Sequence, residues 1–194
     1  SSSACYGNVE VLPTPEDCPT EPTSPYGLQK LVIEQFGKMY NDLYGMDFAA
    51  LRFFNVYGPG QLGDSAYATA VSAWCTRLAK GEPLRSDGDG EQTRDMVYVK
   101  DVASAMLAAA DYQGDLGFKV YNVATGSSVS NNEILETLEK YFPDMSVTHA
   151  PERPGDVKHT LGSIDSITTD LGWSPRKRFW EGLRNTLQWW ELIE

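Results

Sequence analysis

The stretch from Ser24 to Gly45 constrains the fold more than any other, because it carries both the start and the stop signals of a long helix. Ser24 suits an N-cap, and Pro25 suits the first helical position, where its missing N–H costs nothing. Gly45 suits the left-handed residue that ends a helix. Between them, Leu28, Leu31, Val32, Phe36, Met39 and Leu43 fall near one face, which predicts a helix over 25–44 anchored on a core. The same helix places Tyr26 and Lys30 one turn apart on one face, so the phenol and the ammonium can meet. A tyrosine of ordinary pKa, about 10, is a poor base near neutrality. A cation beside it favours the phenolate, which can exchange a proton with a substrate hydroxyl. Tyr and Lys at this spacing also occur on ordinary amphipathic helices, so the pair gains meaning only from its surroundings.

Those surroundings alternate between strand and helix. Ser1-Ser2-Ser3-Ala4-Cys5-Tyr6-Gly7 reads as the end of a strand carrying hydroxyls. Residues 8–24 hold four prolines and four acidic residues, the composition of a surface loop over a site. A buried strand is expected over 47–54, and a helix over 66–80 closed by Gly81. Strands near 83–86 and 94–99 are separated by Asp87-Gly88-Asp89-Gly90. That tetrad reads as a hairpin turn rather than a calcium loop, which would need a distal glutamate. A helix near 100–112 and a strand at 119–124 follow. Ser130-Asn131-Asn132-Glu133 has the capping-box spacing before a helix at 131–142. A strand near 146–150 and helices near 164–171 and 179–192 complete the chain. Trp189 and Trp190 in the last helix pack on the domain or on an interface. The alternation predicts an α/β architecture.

Composition excludes several function classes. The chain has 194 residues, enough for one domain or the greater part of two. With 41% hydrophobic and 22% charged residues, it can bury a core. A formal charge of −11 argues against a non-specific nucleic-acid grip, which needs basic surface to displace counterions. An anionic ligand would have to be held by local cations and amides rather than by the global field. Cys5, Cys18 and Cys75 have no C-x-x-C spacing and suit reduced cytoplasmic thiols. No apolar run approaches membrane-spanning length. His149 and His159 are too isolated to suggest a metal site. No G-x-G-x-x-G follows a strand, so the dinucleotide fingerprint is not in this sequence.

The order strand, loop, Tyr26-x-x-x-Lys30 helix, strand and Asn55-Val56-Tyr57-Gly58-Pro59 resembles the extended short-chain dehydrogenase/reductase family. Within it, the sequence is similar to the NAD-dependent nucleotide-sugar epimerases and dehydratases, UDP-hexose 4-epimerases among them. Arg94-Asp95-Met96-Val97-Tyr98-Val99-Lys100-Asp101-Val102-Ala103, Tyr121-Asn122-Val123-Ala124-Thr125-Gly126 and Arg153-Pro154-Gly155-Asp156-Val157 extend the match, which runs from Ser1 to about Trp190. The resemblance implies the C-terminal part of a Rossmann-like parallel sheet plus a smaller α/β substrate-binding domain. Residues 1–56 would belong to the dinucleotide-binding domain and 57–194 to the substrate domain, with about 95–125 packing back on the Rossmann part. It also implies a longer enzyme whose N-terminal Rossmann half, carrying the glycine fingerprint, is absent here. Expected partners are that half, NAD, a nucleotide-sugar and a second copy of the chain docked through helix 25–44. Nucleic acid and membrane are not expected.

The resemblance assigns roles residue by residue. Ser2 stands where the family has its active-site Ser or Thr, with Tyr26 as proton carrier and Lys30 holding the nicotinamide ribose. Phe54 would border the nicotinamide. Asn55, Arg94 and Arg153 would contact the substrate's diphosphate and nucleotide, and Asp156 its ribose. Asn55 as a turn cap, and the arginines as solvated surface charges, are the bland alternatives. Thr160 occupies a position where a bulky tyrosine limits the sugar pocket in some 4-epimerases, and a small residue there is associated with N-acetylated sugars. Dehydratases carry Asp-Glu after the active-site hydroxyl position, whereas this chain has Ser3-Ala4, which favours epimerisation by transient oxidation to a keto-sugar. Ser86-Asp87 departs from the apolar or aromatic pair that often flanks the nucleobase, which leaves the base open. The expected activity is C4 epimerisation of a UDP-hexose or UDP-N-acetylhexosamine. A nucleotide-sugar reductase or dehydratase, and a silent nucleotide-sugar-binding fragment, are the alternatives.

Overall fold

A computed structural model describes residues 1–64, 68–152 and 157–194. The elements follow in the order α1 (Pro25–Tyr44), β1 (Phe48–Phe53), β2 (Asn55–Tyr57), α2 (Ala70–Lys80), β3 (Leu84–Asp87), β4 (Thr93–Arg94) and β5 (Met96–Tyr98). They continue with α3 (Val99–Ala110), β6 (Phe118–Val123), β7 (Val129–Ser130), α4 (Asn131–Tyr141), β8 (Val147–Ala150), α5 (Asp165–Leu171) and α6 (Phe179–Trp189). Among the described residues the fold is α/β with three parallel strand pairs, β1–β6, β2–β5 and β3–β8, and one antiparallel pair, β4–β7.

Alternation along β1 assigns its two faces. Ala49, Leu51 and Phe53 join Val102 and Ala105 of α3, Val123 of β6 and Ile167 of α5 in one apolar cluster. The intervening Arg52 is buried too, and its side chain meets Glu34 of α1. Strand β1 therefore separates α1 from α3 and α5. A second cluster gathers Trp74 of α2, Leu84 of β3, Met96 and Tyr98 of β5, Ile134 and Leu138 of α4, and Leu183 and Leu187 of α6. Full burial of each such side chain contributes about 1.5–3 kcal/mol.

The helix caps form as their residues dictate. Ser24 Oγ accepts from Gly27 N at 3.1 Å, and Gly45 closes α1 with φ 64°. Ser130 and Glu133 make the reciprocal capping box at the start of α4. Three expectations need correction. Only Ser2 continues the opening strand, bridging in parallel to Phe53, after which Ser3–Cys5 turn into a short 3-10 helix capped by Ser2 Oγ. The apolar stripe of α1 does not face the core: Leu28, Val32, Phe36, Met39 and Leu43 are exposed, and the buried positions are Gly27, Glu34 and Gly37. Asp87–Gly90 is not a hairpin, because β3 pairs with the distant β8 and β4 with β7. At the end of α6, Trp190 caps the helix and packs against the second cluster, while Trp189 remains half exposed.

Candidate active site

Three chain segments meet where β1 ends. Ser2 bridges to Phe53 and so stands at the carboxyl end of that strand, where open α/β sheets place ligands. The N-terminus of α1 packs on the turn that follows. A Cβ on Gly27 would lie 2.5 Å from the Ala4 carbonyl oxygen, so only glycine lets the helix start come this close. Asn55 opens β2, and its Nδ2 donates to the Asp95 carbonyl at 3.3 Å and to Thr160 Oγ1 at 3.2 Å.

These segments enclose a cavity of about 630 Å³. Ser2, Tyr26, Phe54, Asn55, Arg94 and Thr160 all line it. Lys30 stands beside it, with Nζ 5.4 Å from the centroid of the Tyr26 ring. Ser3 and Ala4 also face the cavity. An adjoining cavity of about 230 Å³ shares Asn55, Thr69 and Arg94 and is bounded by Arg85, Asp87 and Gln92. Arg94 Nη1 donates to the carbonyls of Thr93 and Lys158, at 3.0 and 3.1 Å, which fixes its guanidinium at the junction of the two spaces. Arg153 and Asp156 lie outside the described residues.

Behind the Tyr26–Lys30 pair runs a buried charged network. Arg52 Nε and Nη2 donate to the two carboxylate oxygens of Glu34 at 2.9 and 2.7 Å, and Ser1 Oγ donates to Oε1 at 2.5 Å. Burial pushes the Glu34 carboxyl up, but the hydrogen bonds from Arg52 and Ser1 outweigh it and hold the group below the usual carboxylate range. The Arg52 guanidinium lies 4.5 Å from the Tyr6 ring centroid. Burial pushes the Tyr6 phenol up to about 12 against the pull of that cation, and its hydroxyl donates to Asn122 Oδ1 at 2.6 Å.

One structural residue of the site carried no separate signal in the sequence. Asp95 is fully buried and accepts from Thr125 N, Thr125 Oγ1, Gly126 N and Gly162 N, tying three loops together behind Arg94 and Asn55. Burial raises its pKa, and those donors oppose the rise. Gly27 was equally silent. Both sit inside the matched segments, yet their work lies in packing and hydrogen bonding that no local pattern displays.

A hydroxyl-bearing strand end and the start of a Tyr-x-x-x-Lys helix thus share one cavity, with a second, arginine-walled cavity beside it, on an α/β frame. The sequence model of the NAD dependent epimerase/dehydratase family matches residues 1–124, and the chain belongs to that family. The UDP-glucose 4-epimerase of Azospirillum brasilense is 32% identical over 209 residues, covering 100% of this chain and 60% of that protein. A solved structure of UDP-N-acetylglucosamine 4-epimerase from Methanobrevibacter ruminantium M1, in complex with UDP-N-acetylmuramic acid, is 37% identical with a TM-score of 0.91. It matches 98% of this chain and 61% of its own. The UDP-glucuronic acid 4-epimerase of Bacillus cereus, solved with UDP-glucuronic acid and NAD, is 29% identical with a TM-score of 0.90, covering 98% of this chain and 60% of that one. The chain thus spans about 60% of the length of these relatives.

Proposed function

We propose that this chain is the catalytic and substrate-binding part of an NAD-dependent epimerase that inverts C4 of a UDP-linked hexose or N-acetylhexosamine. The observation that carries the reading is the convergence of Ser2, Tyr26, Asn55, Arg94 and Thr160 on one cavity, with Lys30 beside the phenol. Relatives that act on UDP-sugars support the choice of substrate class. The dinucleotide-binding fingerprint would come from a longer protein, and residues 1–56 would join it as one domain while 57–194 bind the nucleotide-sugar. The three free thiols support a cytoplasmic setting, and the exposed apolar face of α1 supports a homodimer.

The residues present fit the nicotinamide end of the cofactor. Lys30 makes no ion pair among the described residues, so its ammonium can meet ribose hydroxyls, and Phe54 offers an apolar wall. NAD held there would supply a reversible acceptor for the hydride of the sugar carbon. Tyr26 removes the proton from the sugar hydroxyl and later gives it back. Ser2 hydrogen-bonds the same oxygen and fixes the proton's path. Arg94 holds the nucleotide diphosphate with charge-assisted hydrogen bonds, and Asn55 adds an amide N–H once it releases the Asp95 carbonyl or Thr160 Oγ1. Arg153 and Asp156 would add contacts to the nucleotide and its ribose. Binding energy concentrates on that non-reacting end, which leaves the sugar free to present either face. Thr160 leaves room beside the sugar for an N-acetyl group. Ser3 and Ala4 on the cavity wall offer neither the acid nor the base that water elimination needs, which favours epimerisation over dehydration.

The full-length protein with NAD, incubated with UDP-glucose or UDP-N-acetylglucosamine, should yield an epimer of unchanged mass, read by NMR and mass spectrometry. A product lighter by one water would make it a dehydratase, and no turnover would leave a binding protein. Tyr26→Phe should lower kcat by about 10²–10⁴-fold while UDP affinity stays near that of the parent.

A further inference from the structure

We propose that Arg52 is a positioning residue for the tyrosine–lysine pair: it holds the Glu34 carboxylate away from Lys30 and so leaves the ammonium to Tyr26. The proposal rests on the roles given to Tyr26 and Lys30 above.

Tyr26, Lys30 and Glu34 follow one another at i, i+4 and i+8, so one face of α1 carries all three. A glutamate one turn from a lysine is within reach of it on a helix face. Here the two do not pair. Both Glu34 oxygens are occupied by Arg52, and one also receives the Ser1 hydroxyl. Glu34 and Arg52 are each only 4% exposed, so the pair is shielded from water.

Arg52 is itself anchored. Its remaining nitrogen, Nη1, donates to the Glu16 carbonyl at 3.1 Å, and its Cζ lies 4.5 Å from the Tyr6 ring centroid. It therefore cannot follow Glu34 toward the active site. A buried carboxylate stripped of this fork must find another cation, and Lys30 stands one turn away on the same helix. Captured there, the ammonium would leave the Tyr26 ring and its charge would be cancelled at the phenol. Arginine suits the task because its planar fork fills both oxygens at once, whereas a lysine supplies a single point charge.

The test uses the full-length protein and three variants: Arg52→Met, Glu34→Gln and the double variant. Arg52→Met should lower kcat by about tenfold or more with UDP affinity within about twofold. Glu34→Gln alone should stay near the parent in kcat. The double variant should recover most of the lost kcat, because no carboxylate remains to capture Lys30. Equal impairment of Arg52→Met and the double variant would overturn the proposal, since Arg52 would then merely support the fold. Full activity in Arg52→Met would overturn it as well. A crystal structure of Arg52→Met gives a second reading that does not depend on the reaction catalysed. Lys30 Nζ should move to within about 4 Å of the Glu34 carboxylate. A Lys30 left beside Tyr26 would refute the idea even if epimerase activity were proven, whereas absence of activity in the parent protein would count against the functional reading alone. Should Arg52→Met fail to fold, Arg52→Lys replaces it, with a partial kcat loss that Glu34→Gln relieves. No relief would count against the proposal.

Discussion

Gly27 shows how a residue without a side chain sets the distance between two that have one. It is buried where α1 begins, between the Ala4 carbonyl and Pro22, and a Cβ there would come within 2.5 Å of that oxygen and 3.0 Å of Pro22 Cβ. The opposing turn cannot yield easily, because Cys5 N and Tyr6 N hydrogen-bond back to Ser2 and Ser3 at 3.1 and 3.0 Å. Gly27→Ala must then push the helix start away from Ser2. Overpacking of this kind costs about 1–3 kcal/mol, which a denaturant titration would read. Turnover should fall further than UDP affinity does, because the displacement separates Tyr26 from Ser2 but leaves Arg94 in place. A fully active, equally stable Gly27→Ala protein would show that the proton path does not depend on this packing.

Most elements were legible in the sequence because their ends are written in local chemistry. Ser24-Pro25, Gly45, Gly81 and the Ser130–Glu133 box act within one helical turn of themselves, and each forms as its residues direct. The face of α1 was misread because hydrophobicity ordinarily marks the buried side. In this helix the buried side is made of Gly27 and Gly37, which allow close approach to Ala4 and the Phe48 ring, and of the Glu34–Arg52 ion pair. The partners of β3 and β4 were illegible for a different reason: nothing local in Asp87-Gly88-Asp89-Gly90 tells of strands about sixty and forty residues away. Ser2, Tyr26, Phe54, Asn55, Arg94 and Thr160 stand out in the sequence only as members of motifs, and their meeting on one cavity comes from the fold. The outward stripe carries its own prediction. Phe36 is 56% exposed and Leu43 66%, too much contiguous apolar surface to leave in water without a reason. Phe36→Glu in the full-length protein should reduce the proposed homodimer to a monomer by analytical ultracentrifugation. Its monomer should unfold within about 0.5 kcal/mol of expectation for a surface change. An unchanged sedimentation profile would place any interface elsewhere.

At the scale of the whole molecule, the Glu34–Arg52 pair joins the α1 layer to the sheet, while Asp95 joins the loops that frame the two cavities. These two buried carboxyls respond to pH in opposite senses. Glu34 is held below its ordinary value of 4.5 in the folded chain. Its contribution to stability is therefore present above about 4.5 and is lost as pH falls through the lower, folded value. Asp95 is raised, so folding holds its proton more tightly than the unfolded chain does, and its ionisation weakens the fold as pH rises. A single stability curve mixes the two, but comparison with Glu34→Gln separates them, because Asp95 is common to both proteins and cancels. At neutral pH the variant leaves Arg52 facing a neutral amide, and breaking a buried pair in this way costs about 3 kcal/mol. Below pH 4.5 the gap should narrow, and it should close as pH falls through the lower, folded value, where the parent's own Glu34 becomes neutral. Urea titrations of both proteins between pH 7 and pH 3 would measure it. A gap that stays constant across that range would mean that Glu34 ionisation contributes nothing to joining α1 to the sheet.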